Sequence, residues 1–234
     1  MNDSNQKLLF LQSRTGILLQ IIIVLIPALV FLKSGSLLLI GLLISLILSA
    51  IFLKLQMKKW TDLGLTFPDN LKRIIISVFI YAIIIIIISF FLRRLIVFLT
   101  DEPPNLDAFK AVQGNPVNLI FGLIIIWFFG AFCEEMLFRG FLMNSFFNLL
   151  KENQFSDSVK WGISLVITSV ITGIGHAYQG TTGMILTGII AFCFGLIYIY
   201  SNKKLLPSVL THGIYDSIAL IMLYSGFNLE KIFH

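Results

Sequence analysis

The stretch VNLIFGLIIIWFFGAFCEEMLFRG, Val117 to Gly140, decides the reading of this chain. From Val117 to Cys133 no residue is charged, and that apolar helix is long enough to enter a bilayer, whose core takes roughly 20 residues. Glu134, Glu135 and Arg139 then follow at once. An ionised side chain near the bilayer centre costs roughly 2.5 to 3.5 kcal/mol on insertion scales, so these three persist only where the fold supplies partners and a task.

The rest of the chain also has lipid as its solvent. Of 234 residues, 57% are hydrophobic and 12% charged, with a mean hydropathy of +0.94; soluble domains are roughly 25% charged. Apolar runs predict seven spans: Ile17 to Leu32, Leu37 to Leu53, Ile74 to Leu92, Val117 to about Leu150, Val159 to His176, Met184 to Tyr200 and Leu205 to Tyr224. The fold class is therefore all-α, a polytopic membrane helical bundle with its site inside the membrane. The opening MNDSNQKLLFLQSR lacks a small-residue cleavage site and reads as a retained anchor. Lys54 to Arg73, with Trp60 and the turn Pro68-Asp69-Asn70, reads as an interfacial connector.

Charge sets the orientation. With the N-terminus cytoplasmic, that side collects Lys7, Arg14, Lys54, Lys58, Lys59, Lys72, Arg73, Arg139, Lys151, Lys160, Lys203 and Lys204, and the other keeps Lys33, Arg93, Arg94, Lys110 and Lys231. This bias predicts a multi-pass cell-membrane protein with an external C-terminus. The Arg93-Arg94 pair resists this scheme, and arginines at a helix end can snorkel to either interface. The net charge of +5 is loop charge of this kind, and no nucleic-acid partner is expected. Cys133 and Cys193 stand singly, without metal or redox spacing, and read as small buried hydrophobes.

Few polar groups remain that could do chemistry. His176 closes the fifth span, and His212 and Asp216 lie in the seventh; His234 is terminal. Four-residue spacing puts His212 beside Asp216 and Glu135 beside Arg139, each pair one turn apart on a helix face. Glu134 points about 100° away from Glu135, so the two carboxylates should meet different neighbours. At 1.5 Å per residue, His212 and Asp216 lie roughly 10 to 16 Å from the cytoplasmic end, Glu134 about 15 to 24 Å and His176 about 20 to 25 Å. The levels overlap. Glu135 with Arg139 could be a neutralising ion pair, but two glutamates, two histidines and an aspartate exceed what one arginine requires. Such a set suits water activation or metal binding.

Glu134-Glu135-x-x-x-Arg139, then His176, then His212-x-x-x-Asp216 resemble the three motifs of the CAAX-protease and bacteriocin-processing (CPBP, or Abi) intramembrane endopeptidases, in their bacterial branch. The resemblance covers about residues 117 to 223, which it marks as a catalytic membrane domain behind the N-terminal helices and connector of residues 1 to 110. The flanking text, His176-Ala177-Tyr178-Gln179-Gly180 and Leu206-Pro207-Ser208-Val209-Leu210-Thr211, agrees. Two positions depart from it. Thr172 stands where the family usually has Phe, and Asp216 takes the Asn-or-Asp position that ends the third motif. An ionised carboxylate there repels an oxyanion, so Asp216 must be protonated, point elsewhere or bind a cation.

What the resemblance implies is hydrolysis of a peptide bond in a membrane-associated, hydrophobic or lipid-anchored peptide, a bacteriocin among the possibilities. Glu134, among Phe128, Phe132 and Phe138, is then the general base. His176 shares its water, His212 and Asp216 hold the oxyanion or orient its donor, and Glu135 with Arg139 braces the helix. The alternative mechanism has Zn²⁺ on His176, His212 and a glutamate such as Glu134. No HExxH occurs, and no cofactor is favoured. Two other classes differ in kind: an immunity or regulatory protein that binds its partner, and a transporter, which would carry inverted repeats that are not seen here.

Overall fold

The computed structural model describes residues 3–30, 35–67 and 70–227, and every regular element among them is helical. Lys33, Pro68, Asp69, Lys231 and His234 lie outside the described residues. The helices are α1 (Asp3–Gln12), α2 (Arg14–Val30), α3 (Gly35–Leu55), α4 (Leu71–Thr100), α5 (Pro116–Leu149), α6 (Asp157–Gly175), α7 (Gly180–Tyr200) and α8 (Leu205–Tyr224). From α3 onward, six are long and apolar enough to cross a membrane, and the α1–α2 pair, bent by 74°, makes a seventh if it is one broken span. The chain is a multi-pass helical membrane protein.

Local chemistry explains where these helices start. Asn115 Oδ1 accepts from the amides of Val117 and Asn118, and Pro116 occupies the first turn, where its missing N–H costs nothing. Asn70 caps α4 by accepting from Arg73 N, and Ser156 does the same for α6 through Val159 N. Helix α4 is longer than the expected Ile74 to Leu92. At 30 residues it is about 45 Å long, more than the roughly 30 Å core needs. Arg93 and Arg94 therefore sit inside the helix and not at its end. They lie about 30 Å along it from Arg73, about one hydrocarbon thickness.

Helix α7 begins at Gly180, before the expected Met184, because a single 3-10 turn, Ala177–Gln179, is all that separates it from α6. These two helices approach closely. A β-carbon on Gly173 would lie 2.7 Å from the Met184 carbonyl oxygen, and one on Gly188 3.4 Å from that of Ser169. The buried hydroxyls of α6 bond back onto their own helix, Ser164 to Lys160 O, Thr168 to Ser164 O and Thr172 to Thr168 O, so the seam leaves them satisfied in lipid.

The connector docks on the bundle. Its turn Trp60–Leu63 buries Leu63, whose carbonyl accepts from Tyr198 Oη at 3.1 Å, and Gly64 O accepts from Leu205 N. Gly64 has φ +99° and abuts the Lys203 carbonyl, where no side chain fits. At the opposite end, the segment from Asp101 to Asn115 straps across the helix ends, with Asn105 N donating to Gln179 O and Gly114 N to Tyr224 O. This strap and the short α6–α7 turn put His176 beside the middle of α5.

Candidate active site

Helix α5 carries the site, and it is not a uniform α-helix. Ile126–Cys133 and Met136–Met143 are π-helical, flanking Glu134 and Glu135, and such wide turns are found mostly at functional sites. Its register against α8 is set by Trp127. The indole N–H donates to Ser217 Oγ at 3.1 Å, and the ring lies where a β-carbon on Gly213 would come within 2.6 Å. Only glycine at 213 lets the two helices meet here, which brings Glu134 and Glu135 level with His212 and Asp216.

The adjacent carboxylates part as expected. Glu135 is fully buried, and its Oε1 lies 2.9 Å from Arg139 Nη1 and 3.0 Å from His212 Nδ1. Its Oε2 is buried without a hydrogen-bond partner among the described residues. Arg139 also donates to Ala191 O and lies 5.8 Å from the centre of the Phe194 ring, which stacks on His212 at 4.4 Å. Across the imidazole, His212 Nε2 is 3.2 Å from Asp216 Oδ2. Both contacts are hydrogen bonds when both ring nitrogens carry protons, so the geometry is that of an imidazolium held between two carboxylates. Two cations and two anions then balance in a chain that runs from buried Arg139 to partly exposed Asp216, which accounts for how these charges are tolerated in lipid.

The Glu134 side chain makes no hydrogen bond or ion pair among the described residues and faces a cavity of about 380 Å³. Arg139, His176, His212 and Asp216 share its wall, with Glu135 directly behind. His176 Nδ1 donates to Thr172 O at 2.9 Å, which leaves the Nε2 lone pair of the neutral ring available. The departure at Thr172 therefore has a simple outcome. Its carbonyl orients His176, and its hydroxyl is occupied within α6. Asp216 likewise has its cation, His212, and Gly130 leaves room for it, since a β-carbon there would stand 3.4 Å from Asp216 Oδ2.

All six expected residues thus meet. The sequence reading missed Phe194, the Ala191 carbonyl, the π-turns and Arg93, which also lines the cavity. For Arg93 a signal existed, because a charge within a long apolar helix asks for a use as well as a topology.

Residues 116–218 match the family model described as type II CAAX prenyl endopeptidase, Rce1-like. This part of the chain is similar to that family. The match spans all three motifs and agrees with the CPBP resemblance. No curated protein and no solved structure matches the chain.

A zinc ion on His176, His212 and Glu134 does not fit this arrangement. Both nitrogens of His212 are engaged by carboxylate oxygens, so the ring offers no lone pair to a metal. Among the described residues, no three His, Cys, Asp or Glu side chains converge as ligands.

Proposed function

We propose that the protein is an intramembrane endopeptidase that hydrolyses a peptide bond in a membrane-associated, hydrophobic or lipid-anchored peptide with water activated by Glu134. The observation that carries this reading is the contrast between the carboxylates: Glu135 is locked to Arg139 and His212, while Glu134 faces the cavity with no partner among the described residues. A carboxylate so placed can take a proton.

Water held between Glu134 and His176 Nε2 gives its proton to Glu134 as its oxygen attacks the scissile carbonyl. The oxyanion that forms competes with Asp216 for the His212 N–H, and the positive imidazole stabilises the new charge at low dielectric. Collapse of the intermediate breaks the C–N bond, and Glu134 passes its proton to the departing amine. Glu135 and Arg139 act as positioning residues, fixing the orientation of His212. A bacteriocin precursor is one peptide of the required kind. The N-terminus is cytoplasmic in this reading, and the C-terminus external.

Glu134→Gln tests the assignment, because it keeps the shape and removes the base. Loss of a general base typically lowers the rate 10²- to 10⁴-fold. A folded Glu134→Gln protein that cleaves as fast as wild type in vesicles would show that the base is elsewhere.

A further inference from the structure

At the end of the bundle opposite the strap, Arg14, Lys58, Lys151 and Lys160 gather where the connector passes the last turn of α5. Three acids stand among them, and each is already engaged. Glu152 Oε2 lies 3.1 Å from Arg14 Nε, Asp157 Oδ1 lies 3.5 Å from Lys160 Nζ, and Asp62 Oδ2 accepts from Lys59 N at 2.8 Å. Lys160, itself buried, also donates to Lys151 O at 3.2 Å. The side chains of Lys58 and Lys151 make no hydrogen bond or ion pair among the described residues, yet each lies in the other's field. Burial, and then the Lys151 ammonium, hold Lys58 below the ordinary lysine pKa, and Asp62 offsets this only in part. Positive-inside insertion explains lysines at this end, but lysines apart from one another in water would satisfy it equally. A half-buried lysine facing a second lysine costs energy unless an anion lies between them.

The backbone commits to this placement. Met57 takes a left-handed conformation, φ +59°, which folds Lys58 back onto the end of α3, where its N–H donates to Leu53 O. Both lysines directly follow the ends of spanning helices, Leu55 of α3 and Leu149 of α5, where a hydrocarbon core gives way to headgroups. Leu55 and Met57, beside Lys58, are exposed apolar side chains that suit acyl chains better than water. We infer that Lys58 and Lys151 together bind the phosphate of an anionic phospholipid. A lipid phosphodiester carries one negative charge and has oxygens for both ammonium groups, so it turns a repulsive pair into a bridge between the connector and α5. Neither lysine lines the cavity that holds Glu134, and the inference is independent of the endopeptidase reading.

The test titrates delipidated full-chain protein in a neutral detergent with phosphatidylglycerol, phosphatidylcholine or inorganic phosphate, and follows thermal unfolding by tryptophan fluorescence. Phosphatidylglycerol should raise the melting temperature of wild type saturably, at concentrations where phosphatidylcholine does not. A lysine near a membrane surface is worth about a fivefold change in affinity for anionic lipid. Lys58→Gln and Lys151→Gln should therefore each raise the half-saturating concentration about fivefold, and the double variant about 10- to 30-fold. Lys58→Arg should stay near wild type, and so should Lys72→Gln, which removes one charge from the first turn of α4. Without lipid, Lys58→Gln and Lys151→Gln should melt at or above wild type, because each removes a like-charge contact. Equal stabilisation by the two lipids overturns the inference, and so does half-saturation unchanged in the double variant. Lower melting of both single variants without lipid would make the lysines structural and overturn it as well. Saturable stabilisation by inorganic phosphate in the same concentration range would overturn the lipid assignment in favour of a soluble anion.

Discussion

Glu134 and Glu135 are neighbours in sequence, and the structure separates what each loses on mutation. Glu135→Ala removes the oxygen that holds Arg139 at 2.9 Å and His212 at 3.0 Å, leaving the guanidinium, itself 2% exposed, without its carboxylate. Breaking a buried pair by removing one partner costs about 3 to 5 kcal/mol, because the remaining charge stays buried and uncompensated. For a chain of this size, where 1 kcal/mol moves the melting temperature by about 2 to 4 °C, the expected drop is about 6 to 20 °C. Glu135→Gln keeps an acceptor oxygen but loses the charge, and should fall between Ala and wild type. Glu134→Gln breaks no ion pair or hydrogen bond among the described residues, and should stay within about 0.5 kcal/mol of wild type. The assay is thermal unfolding of the three purified variants in one detergent, followed by intrinsic tryptophan fluorescence and repeated after reconstitution. Glu135→Ala melting with wild type would refute the buried-chain argument. So would a Glu134→Gln protein less stable than Glu135→Ala.

Three further outcomes follow from the geometry. Gly213→Ala puts a methyl group 2.6 Å from the Trp127 ring, so it should cost about 1 to 3 kcal/mol of stability and activity with it, and Trp127→Leu in the same chain should restore stability, read by the same melts. Asp216→Asn should keep activity within about tenfold of wild type, because an amide oxygen still accepts from His212 while its N–H₂ can donate to an oxyanion. Enzyme that survives chelation, with no stoichiometric zinc by elemental analysis, accompanies that result, and joint loss of metal and activity would reverse it. A reporter fused after Lys204 should be cytoplasmic and one after Gly226 external, since α8 lies between them; both on one side would remove α8 as a span and the site with it.

Much of this protein is legible in the linear chain because lipid imposes strong local rules. Backbone groups in a bilayer must be satisfied within a helix, so apolar runs of span length are helices; six of the seven expected spans reappear with shifted ends, and the first is one arm of the bent α1–α2 pair. Charge in such a run is costly enough to mark a site by itself, and this alone singles out Glu134, Glu135, Arg139, His212 and Asp216. Helical spacing also pairs Glu135 with Arg139 and His212 with Asp216, since four residues return the chain to the same face.

Which partner each group takes across helices was decided only by packing. No periodicity says that Gly213 admits Trp127, that the Thr172 carbonyl fixes the His176 tautomer, or that His212 bridges Glu135 to Asp216. These contacts join residues far apart in sequence, and they depend on how closely two backbones approach, which in lipid is set by small residues and shape. The roles of the two glutamates follow from the same cause. Identical in sequence and adjacent in the chain, they differ because one faces the seam between α5, α7 and α8 and the other faces the cavity.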